Sequence, residues 1–310
     1  MKAIIRTVCG DIEPESTGFG LPHEHLLTFP PVRVRPDIDF RLPSVEMAIE
    51  EVKMFKQAGG SIIGELTTDG YGRNVRGLRE ISEKTGVHIL STSGYIMEKL
   101  FPNKTFNSNL DELAELFVND VTVGMDGTDI KAGWVKCGTS DEKMTRAEEK
   151  VIRAAARTHH KTGVSVTTHT TNGSMAFNQV NVLFSEQVPP ERICIGHVDR
   201  RSLCIGFLQK LAKTGVFVEF DNVGKFKYYP DSLRVEMIKQ LIADGHVKQI
   251  LISDDNGRQS YFKSYGGGRG LEYIPTHFAA LMREMGIIDE DIHQMTILNP
   301  RKLMAFEPRM

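Results

Sequence analysis

The sequence predicts an α/β fold, a single (β/α)₈ barrel of the TIM type that spans residues 1–310 as one domain. Short β-branched runs alternate with helical patterns from end to end, which is typical of parallel strands joined by crossover helices. Eight such runs favour a closed barrel over an open doubly wound sheet. Dinucleotide-binding and P-loop folds lack their signatures, because the sequence has no GxGxxG after its first strand and no GxxxxGK[ST].

The eight predicted strands are short apolar runs, and the first of them is the weakest pattern. In chain order they are Gly18–His25, Ser61–Leu66, Val87–Thr92, Ala132–Cys137, Val164–His169, Ile193–His197, Val216–Asp221 and Gln249–Ser253.

Helical patterns fall between these strands. Val45–Gln57 carries an apolar face and ends before a Gly-Gly pair. Thr145 and Glu148 form a capping-box pattern that opens a helix, and Gly163 ends it. Further helices are predicted at Leu203–Lys213, Pro230–Ala243 and Thr276–Glu284.

The composition is that of an ordinary globular protein, with 40% hydrophobic residues, 25% charged residues and a net charge of -2. No block of Lys and Arg is present, which argues against nucleic acid or an anionic membrane as a partner. No segment has the pattern of a signal peptide or a membrane span. The cysteines form no CxxC pair and are predicted to be buried free thiols: Cys9, Cys137, Cys194 and Cys204. We therefore expect a soluble, cytoplasmic protein.

A selective set of side chains lies where predicted strands meet their following loops. In a barrel these strand ends form the active-site face. A lone histidine there is more often structural than a ligand, and an Asp pair often caps the next helix. Together, imidazole and carboxylate suit divalent metals, with zinc as the default and manganese or cobalt as alternatives. The set consists of His23, His25, Lys136, His169, His197 and Asp255.

Lys136 is unusual in this set, because a buried cation beside divalent metals is electrostatically unfavourable. One solution is a salt bridge to a carboxylate such as Glu65 or Asp254. The other is chemical: a neutral lysine reacts with carbon dioxide to give a carbamate, whose two oxygens can bridge two metals. The residues alone leave both open, and the salt bridge is the simpler interpretation.

Several strand-end motifs occur in a fixed order along the chain. They are LPHEHL at residues 21–26, Ala132–Lys136 followed by Gly-Thr-Ser, VTTHT around His169, IGHVD at Ile195–Asp199, FDNVGK at Phe220–Lys225, and Ser253–Asp255. With these motifs the sequence resembles the phosphotriesterase family of the amidohydrolase superfamily over nearly its whole length.

The resemblance implies an amidohydrolase-type barrel with a binuclear metal centre, and, since relatives are often dimers, a homodimer. Asp255 would be catalytic, accepting a proton from the attacking water and returning it to the leaving alkoxide. The implied ligands are His23, His25 and Asp255 on the buried metal, His169 and His197 on the exposed metal, and N6-carboxylated Lys136 as the bridge. In one respect the sequence departs from the family: enzymes that cleave phosphotriesters commonly have a histidine after the strand-seven aspartate, and here Asn222 follows Asp221.

The loops after strands seven and eight carry cationic and phenolic side chains. This is the usual phosphate-binding region of such barrels, so we expect a small anionic substrate, although solvated loop charges are an alternative. Relatives include lactonases that act on phosphorylated sugar lactones, which makes this activity the leading hypothesis. The candidate substrate-binding residues are Lys225, Lys227, Tyr229, Arg258 and Arg269, with Tyr95 after strand three and Arg73 after strand two.

Two other functions stay open at this point. The same metal centre could serve a phosphotriesterase, an esterase or an acyl-homoserine lactonase, for which apolar pocket loops would be expected. The chain could also be a non-catalytic metal-binding protein, but Asp255 beside a full ligand set argues against that.

Overall fold

The computed structural model describes residues 2–200 and 204–309. Its strands, within these residues, are β1 Ile4–Thr7, β2 Gly10–Ile12, β3 Phe19–Glu24, β4 Gly60–Glu65, β5 His88–Leu90, β6 Thr92–Gly94, β7 Trp134–Gly138, β8 Val166–His169, β9 Ile193–Ile195, β10 Phe217–Phe220, β11 Ile250–Ile252 and β12 Ala305–Phe306.

The helices of the same residues lie mostly between these strands. They are α1 Val45–Gln57, α2 Val75–Thr85, α3 Asn103–Asn107, α4 Leu110–Thr122, α5 Arg146–Thr162, α6 Ala176–Ser185, α7 Ile205–Ala212, α8 Asp231–Ala243, α9 Ala279–Glu284, α10 Asp289–His293 and α11 Asn299–Met304.

The fold is a (β/α)₈ barrel, as predicted. Strands β3, β4 and β5 pair in parallel, and so do β6 to β11 in consecutive order. The third predicted strand forms β5 and β6, which Ser91 separates. The first and last barrel strands meet through loop bonds: Asp255 N donates to His23 O at 3.1 Å, and His23 N donates to Ser253 Oγ at 2.9 Å.

The predicted helices are present, with small shifts at their ends. Helix α1 has the predicted bounds, and the capping box of Thr145 and Glu148 opens α5. Helix α7 begins at Ile205, and its predicted start at Leu203 lies outside the described residues. The predicted helix Thr276–Glu284 begins instead as a π-helical turn, Ile274–Phe278. Six helices of the described residues were not predicted: α2, α3, α4, α6, α10 and α11.

A small sheet closes the amino end of the barrel. Strand β1 pairs in an antiparallel manner with β2 and with β12. Ile5 and Ala305 of this sheet pack into one apolar cluster with Trp134 and Phe217 from the barrel interior. This cluster fills the end of the barrel opposite the predicted site.

Two remaining expectations concern the cysteines and the membrane. All four cysteines are free, but only Cys137 and Cys194 are buried. The prediction of burial was therefore wrong for Cys9 and Cys204, which are exposed.

Across the described ranges, no helix is both long enough and apolar enough to traverse a bilayer.

Candidate metal centre

The structure brings together all six predicted ligand side chains at the carboxyl ends of the barrel strands. Lys136 Nζ lies 2.9 Å from His23 Nε2, and the rings of His169 and His197 are 4.5 Å apart between centroids. Among their donor atoms, those of His23, His197 and Asp255 lie within 4.8 Å of one another. This spacing is compatible with a shared divalent ion, so the donor chemistry fits the metal that the sequence predicts.

His23 presents its two ring nitrogens to different partners. Its Nδ1 lies 2.9 Å from Asp221 Oδ2 and 3.1 Å from Glu219 Oε2, while Nε2 faces Lys136 and lies 3.8 Å from Asp255 Oδ1. Because carboxylates occupy Nδ1, Nε2 is the nitrogen left for a metal. Although burial and Lys136 disfavour the imidazolium, Glu219 and Asp221 raise the pKa of His23 to about 9, so metal binding must displace a proton.

Asp221 contacts both His23 and His197. Its Oδ1 lies 2.9 Å from His197 Nδ1, and its Oδ2 accepts the backbone N–H of His197 at 2.8 Å besides facing His23. Asn222 donates from Nδ2 to Asp221 Oδ1 at 2.7 Å and to Asp199 Oδ1 at 3.0 Å. An amide can hold these carboxylates but cannot carry a titrating proton between them. Glu219 on β10 and Asp221 directly after the strand are two residues apart, which is the sequence signal that both face inward.

His25 is oriented by a separate chain of hydrogen bonds. Its Nδ1 lies 2.8 Å from Thr67 Oγ1, which in turn donates to Glu65 Oε1 at 2.5 Å. Its Nε2 lies 3.3 Å from Asp255 Oδ1. Burial lowers the pKa of His25 to about 4, and burial also lowers the pKa values of His169 and His197. Neutral imidazoles are the form that binds metals.

Lys136 has no salt-bridge partner within the described residues, which contradicts the salt-bridge alternative. Glu65, one proposed partner, instead accepts from Thr67 and from the backbone N–H of Leu26. Lys136 is 1% exposed, and burial lowers its pKa. A buried amine that tends to be neutral is the form that reacts with carbon dioxide.

A cavity opens above these side chains. Of the predicted substrate-binding residues, Lys225 and Arg258 line it. Lys225 Nζ donates to Asp255 Oδ2 at 2.9 Å, and Arg258 Nη1 donates to Asp39 Oδ2 at 3.1 Å. The cavity thus joins the predicted ligand cluster to two cations from the loops after β10 and β11.

Three predicted substrate-binding residues from the same loops lie elsewhere in the described structure. Lys227 does not line the cavity, and its Nζ donates to Tyr261 OH at 2.6 Å. The carbonyl of Tyr229 accepts from Arg234 Nη1 at 2.7 Å. Arg269 donates to the carbonyl of Gly224 and lines a neighbouring cavity. The loop after β10 turns back toward its own helix, so only its first lysine reaches the cavity.

Arg73 and Tyr95 do not line this cavity, since both side chains are buried elsewhere in the described structure, and their role in substrate binding stays a prediction. Arg73 forms ion pairs with Asp120 at 3.3 Å and Asp126 at 2.7 Å. The ring of Tyr95 packs against Phe117, with ring centroids 5.3 Å apart. Both residues stabilise the loops that follow the second and third barrel strands.

Four polar residues of the cavity wall were not predicted from the sequence: Arg35, Tyr71, Arg200 and Tyr261. Arg200 directly follows the IGHVD motif, and its guanidinium lies 5.1 Å from the Tyr228 ring centroid. Tyr261 lies one short turn after Arg258. Arg35 comes from the long loop after β3, where no local pattern indicates that a side chain folds over the barrel.

Comparisons with known proteins agree with this geometry. The family model described as the phosphotriesterase family matches residues 3–304. A phospho-furanose lactonase from Mycoplasmopsis synoviae is 31% identical over 327 residues, covering 98% of this chain and 92% of that protein. The crystal structure of a lactonase from Listeria monocytogenes superposes with a TM-score of 0.93 at 36% identity, covering 98% of this chain and 99% of the other. The phosphotriesterase homology protein from Escherichia coli, crystallised with phosphate in its active site, gives a TM-score of 0.89 at 32% identity, covering 94% and 100%.

Proposed function

Because the chain belongs to the phosphotriesterase family, we propose that residues 1–310 form one domain that hydrolyses phosphorylated sugar lactones with a binuclear metal centre. The observation that carries the substrate class is the cavity, where cationic side chains face the predicted metal ligands. A lactonase relative with a phosphorylated substrate in its name, and a related structure with phosphate in its active site, support the same class.

The proposed metal ligands are those that converge at the strand ends. Zinc is the first choice, with manganese or cobalt as alternatives, because the donors are imidazoles and a carboxylate. Burial lowers the pKa of Lys136 and thereby favours its neutral amine; this shift, together with the lack of a salt bridge within the described residues, supports the carbamate bridge. The ligands are His23, His25, Lys136, His169, His197 and Asp255.

The proposed chemistry needs no serine or cysteine nucleophile. When bound, the metals would lower the pKa of water and polarise the scissile carbonyl. Asp255 would accept the proton of the attacking water and return it to the leaving alkoxide. Although burial opposes it, Lys225 holds the pKa of Asp255 well below its usual range, so the carboxylate is ionised, which is the form that binds a metal.

The phosphate of the substrate would bind at the side of the cavity formed by the loops after β10 and β11. Lys225, Arg258 and Tyr261 line that side, and Arg35 and Arg200 add two further guanidinium groups to the wall. Donors of this kind bind phosphate through charge-assisted hydrogen bonds.

The experiment compares a sugar lactone with and without its phosphate, for the wild type and two arginine variants. Arg258→Ala removes a cavity cation, and Arg269→Ala removes a cation of the neighbouring cavity as the matched control. We expect Arg258→Ala to raise KM for the phosphorylated lactone about 10-fold or more, since hydrogen bonds to charged groups contribute about 1.5–3 kcal/mol. Equal turnover of both lactones, unchanged by Arg258→Ala, would contradict the phosphate subsite.

The opposite wall of the cavity favours a second candidate. Ile96, Met97 and Leu100 form an apolar surface there, which would suit the tail of a neutral ester or an acyl-homoserine lactone. In the same assay, a preference for long-chain neutral lactones would support this alternative.

A further inference from the structure

Glu24 stands between His23 and His25 in the sequence, but it does not line the cavity that His25 lines. It is the last residue of β3 and is fully buried. Side chains alternate along a strand, so Glu24 projects away from the direction shared by His23 and His25. Its hydrogen-bond partners therefore belong to a neighbouring element.

Those partners are the two backbone N–H groups on either side of Asp255. Asp254 N donates to Glu24 Oε1 at 2.8 Å, and Asn256 N donates to Glu24 Oε2 at 2.9 Å. Between them, Asp255 N donates to the carbonyl of His23 at 3.1 Å. Three consecutive amides of the loop after β11 are thus bound to the end of β3.

This arrangement explains the backbone conformation of Asp255. Its φ is +48°, in the left-handed region that side chains other than glycine rarely adopt. Curvature of this kind turns successive N–H groups toward one anion, as in the backbone nests that bind phosphate. Here the group that accepts the N–H groups is the buried carboxyl group of Glu24, which belongs to the protein itself.

We propose that Glu24 is a positioning residue that fixes Asp255 as a metal ligand by holding the amides of Asp254 and Asn256. The fixed backbone places Asp255 Oδ1 3.3 Å from His25 Nε2 and 3.8 Å from His23 Nε2. The strand that supplies two ligands therefore also orients a third. This inference rests on the proposed function only in taking Asp255 as a ligand.

A buried glutamate elsewhere in the chain offers a matched control. Glu51 is also fully buried, and it accepts the backbone N–H groups of Leu271 and Ser264, each at 3.0 Å. It binds a later part of the loop that contains Asp255, but not the amides beside that residue. Glu24→Gln and Glu51→Gln each leave one buried N–H facing an amide NH₂, so both lose the same kind of hydrogen bond.

The test is the affinity of the metal-free protein for Zn²⁺, measured by competition with a chelator. We expect Glu24→Gln to weaken Zn²⁺ binding about 10- to 100-fold, the usual effect of losing a group that orients a ligand. Glu51→Gln should leave the affinity unchanged while lowering the unfolding temperature to a similar extent. In an Asp255→Asn background, Glu24→Gln should weaken binding no further, because the ligand that it positions is already lost.

The outcomes separate the inference from the proposed function. A wild type that binds none of Zn²⁺, Mn²⁺ and Co²⁺ overturns both. A wild type that binds Zn²⁺, with equal affinities for Glu24→Gln and Glu51→Gln, overturns the positioning role alone. If Glu24→Gln does not fold, Glu24→Asp against Glu51→Asp provides the same comparison, because aspartate keeps both acceptor oxygens on a shorter side chain.

Discussion

The two ends of the barrel interior differ in chemistry although the same strands build both. On β7, Trp134 and Lys136 are two residues apart and share a face, yet Trp134 belongs to the apolar cluster and Lys136 faces His23. On β10, Phe217 packs into the same cluster while Glu219 contacts His23. The apolar end supplies burial that stabilises the barrel. That stability offsets the unfavourable burial of charged groups at the other end, where the chemistry is proposed to occur.

Lys136→Met tests the charged end with the largest expected effect. Without the proposed carbamate bridge, we expect kcat/KM to fall about 1000-fold, or about 4 kcal/mol, since metals supply several kcal/mol of transition-state stabilisation. The unfolding temperature of the metal-free protein should stay the same or rise, because an apolar side chain of similar length replaces a buried amine. Unchanged turnover would remove Lys136 from the site.

Trp134→Ala tests the apolar end on the same strand. The side chain is fully buried, so truncation should lower the free energy of unfolding by about 3 kcal/mol or more, measured by urea denaturation. The zinc content and kcat/KM per folded molecule should match those of the wild type. A variant of normal stability that fails to bind metal would show that the two ends are not separable.

We expect the smallest effect from substituting His159, which belongs to helix α5 and not to either end of the barrel interior. It is buried at the end of α5, and its Nδ1 lies 2.8 Å from the carbonyl of Val164, just before β8. Burial lowers its pKa to about 4, below the value of about 6.5 in an unfolded chain. On acidification the unfolded chain therefore binds a proton first, and stability falls as the pH falls.

From about pH 7 to about pH 5.5 this group should account for about 1 kcal/mol of lost stability. His159→Gln should remove that part of the pH dependence, whereas the exposed neighbour variant His160→Gln should retain it. Parallel pH profiles for the wild type and His159→Gln would contradict the assignment.

The fold and the ligand cluster could be predicted because their signals are local. Period-2 apolar runs indicate the strands, and a barrel brings the residues at strand ends together wherever they lie in the sequence. His169 and His197 could thus be placed in one site although 28 residues separate them. Helices α2 and α4 were not predicted although local signals were present: Gly86 ends α2, and a capping box of Asn109 and Glu112 opens α4.

The cavity wall could not be predicted to the same extent, because its residues come from loops whose paths depend on tertiary contacts. Arg73 lies in the loop after β4, as expected, but Asp126 from a distant loop pairs with it and keeps it out of the cavity. Within the described residues Arg35 forms no ion pair, and it reaches the cavity from the loop after β3. Whether a loop cation binds substrate or a protein carboxylate is decided by the position of that carboxylate, which the local sequence does not contain.

We propose above all that six side chains bind two metal ions and that a carboxylated Lys136 bridges them. A crystal structure of the zinc-loaded protein, with anomalous scattering recorded at the zinc edge, tests it most directly. We predict two anomalous peaks close to His23 and His169, joined by electron density for a carboxylated Lys136. A single peak, or an unmodified lysine directed away from the ions, would contradict the account.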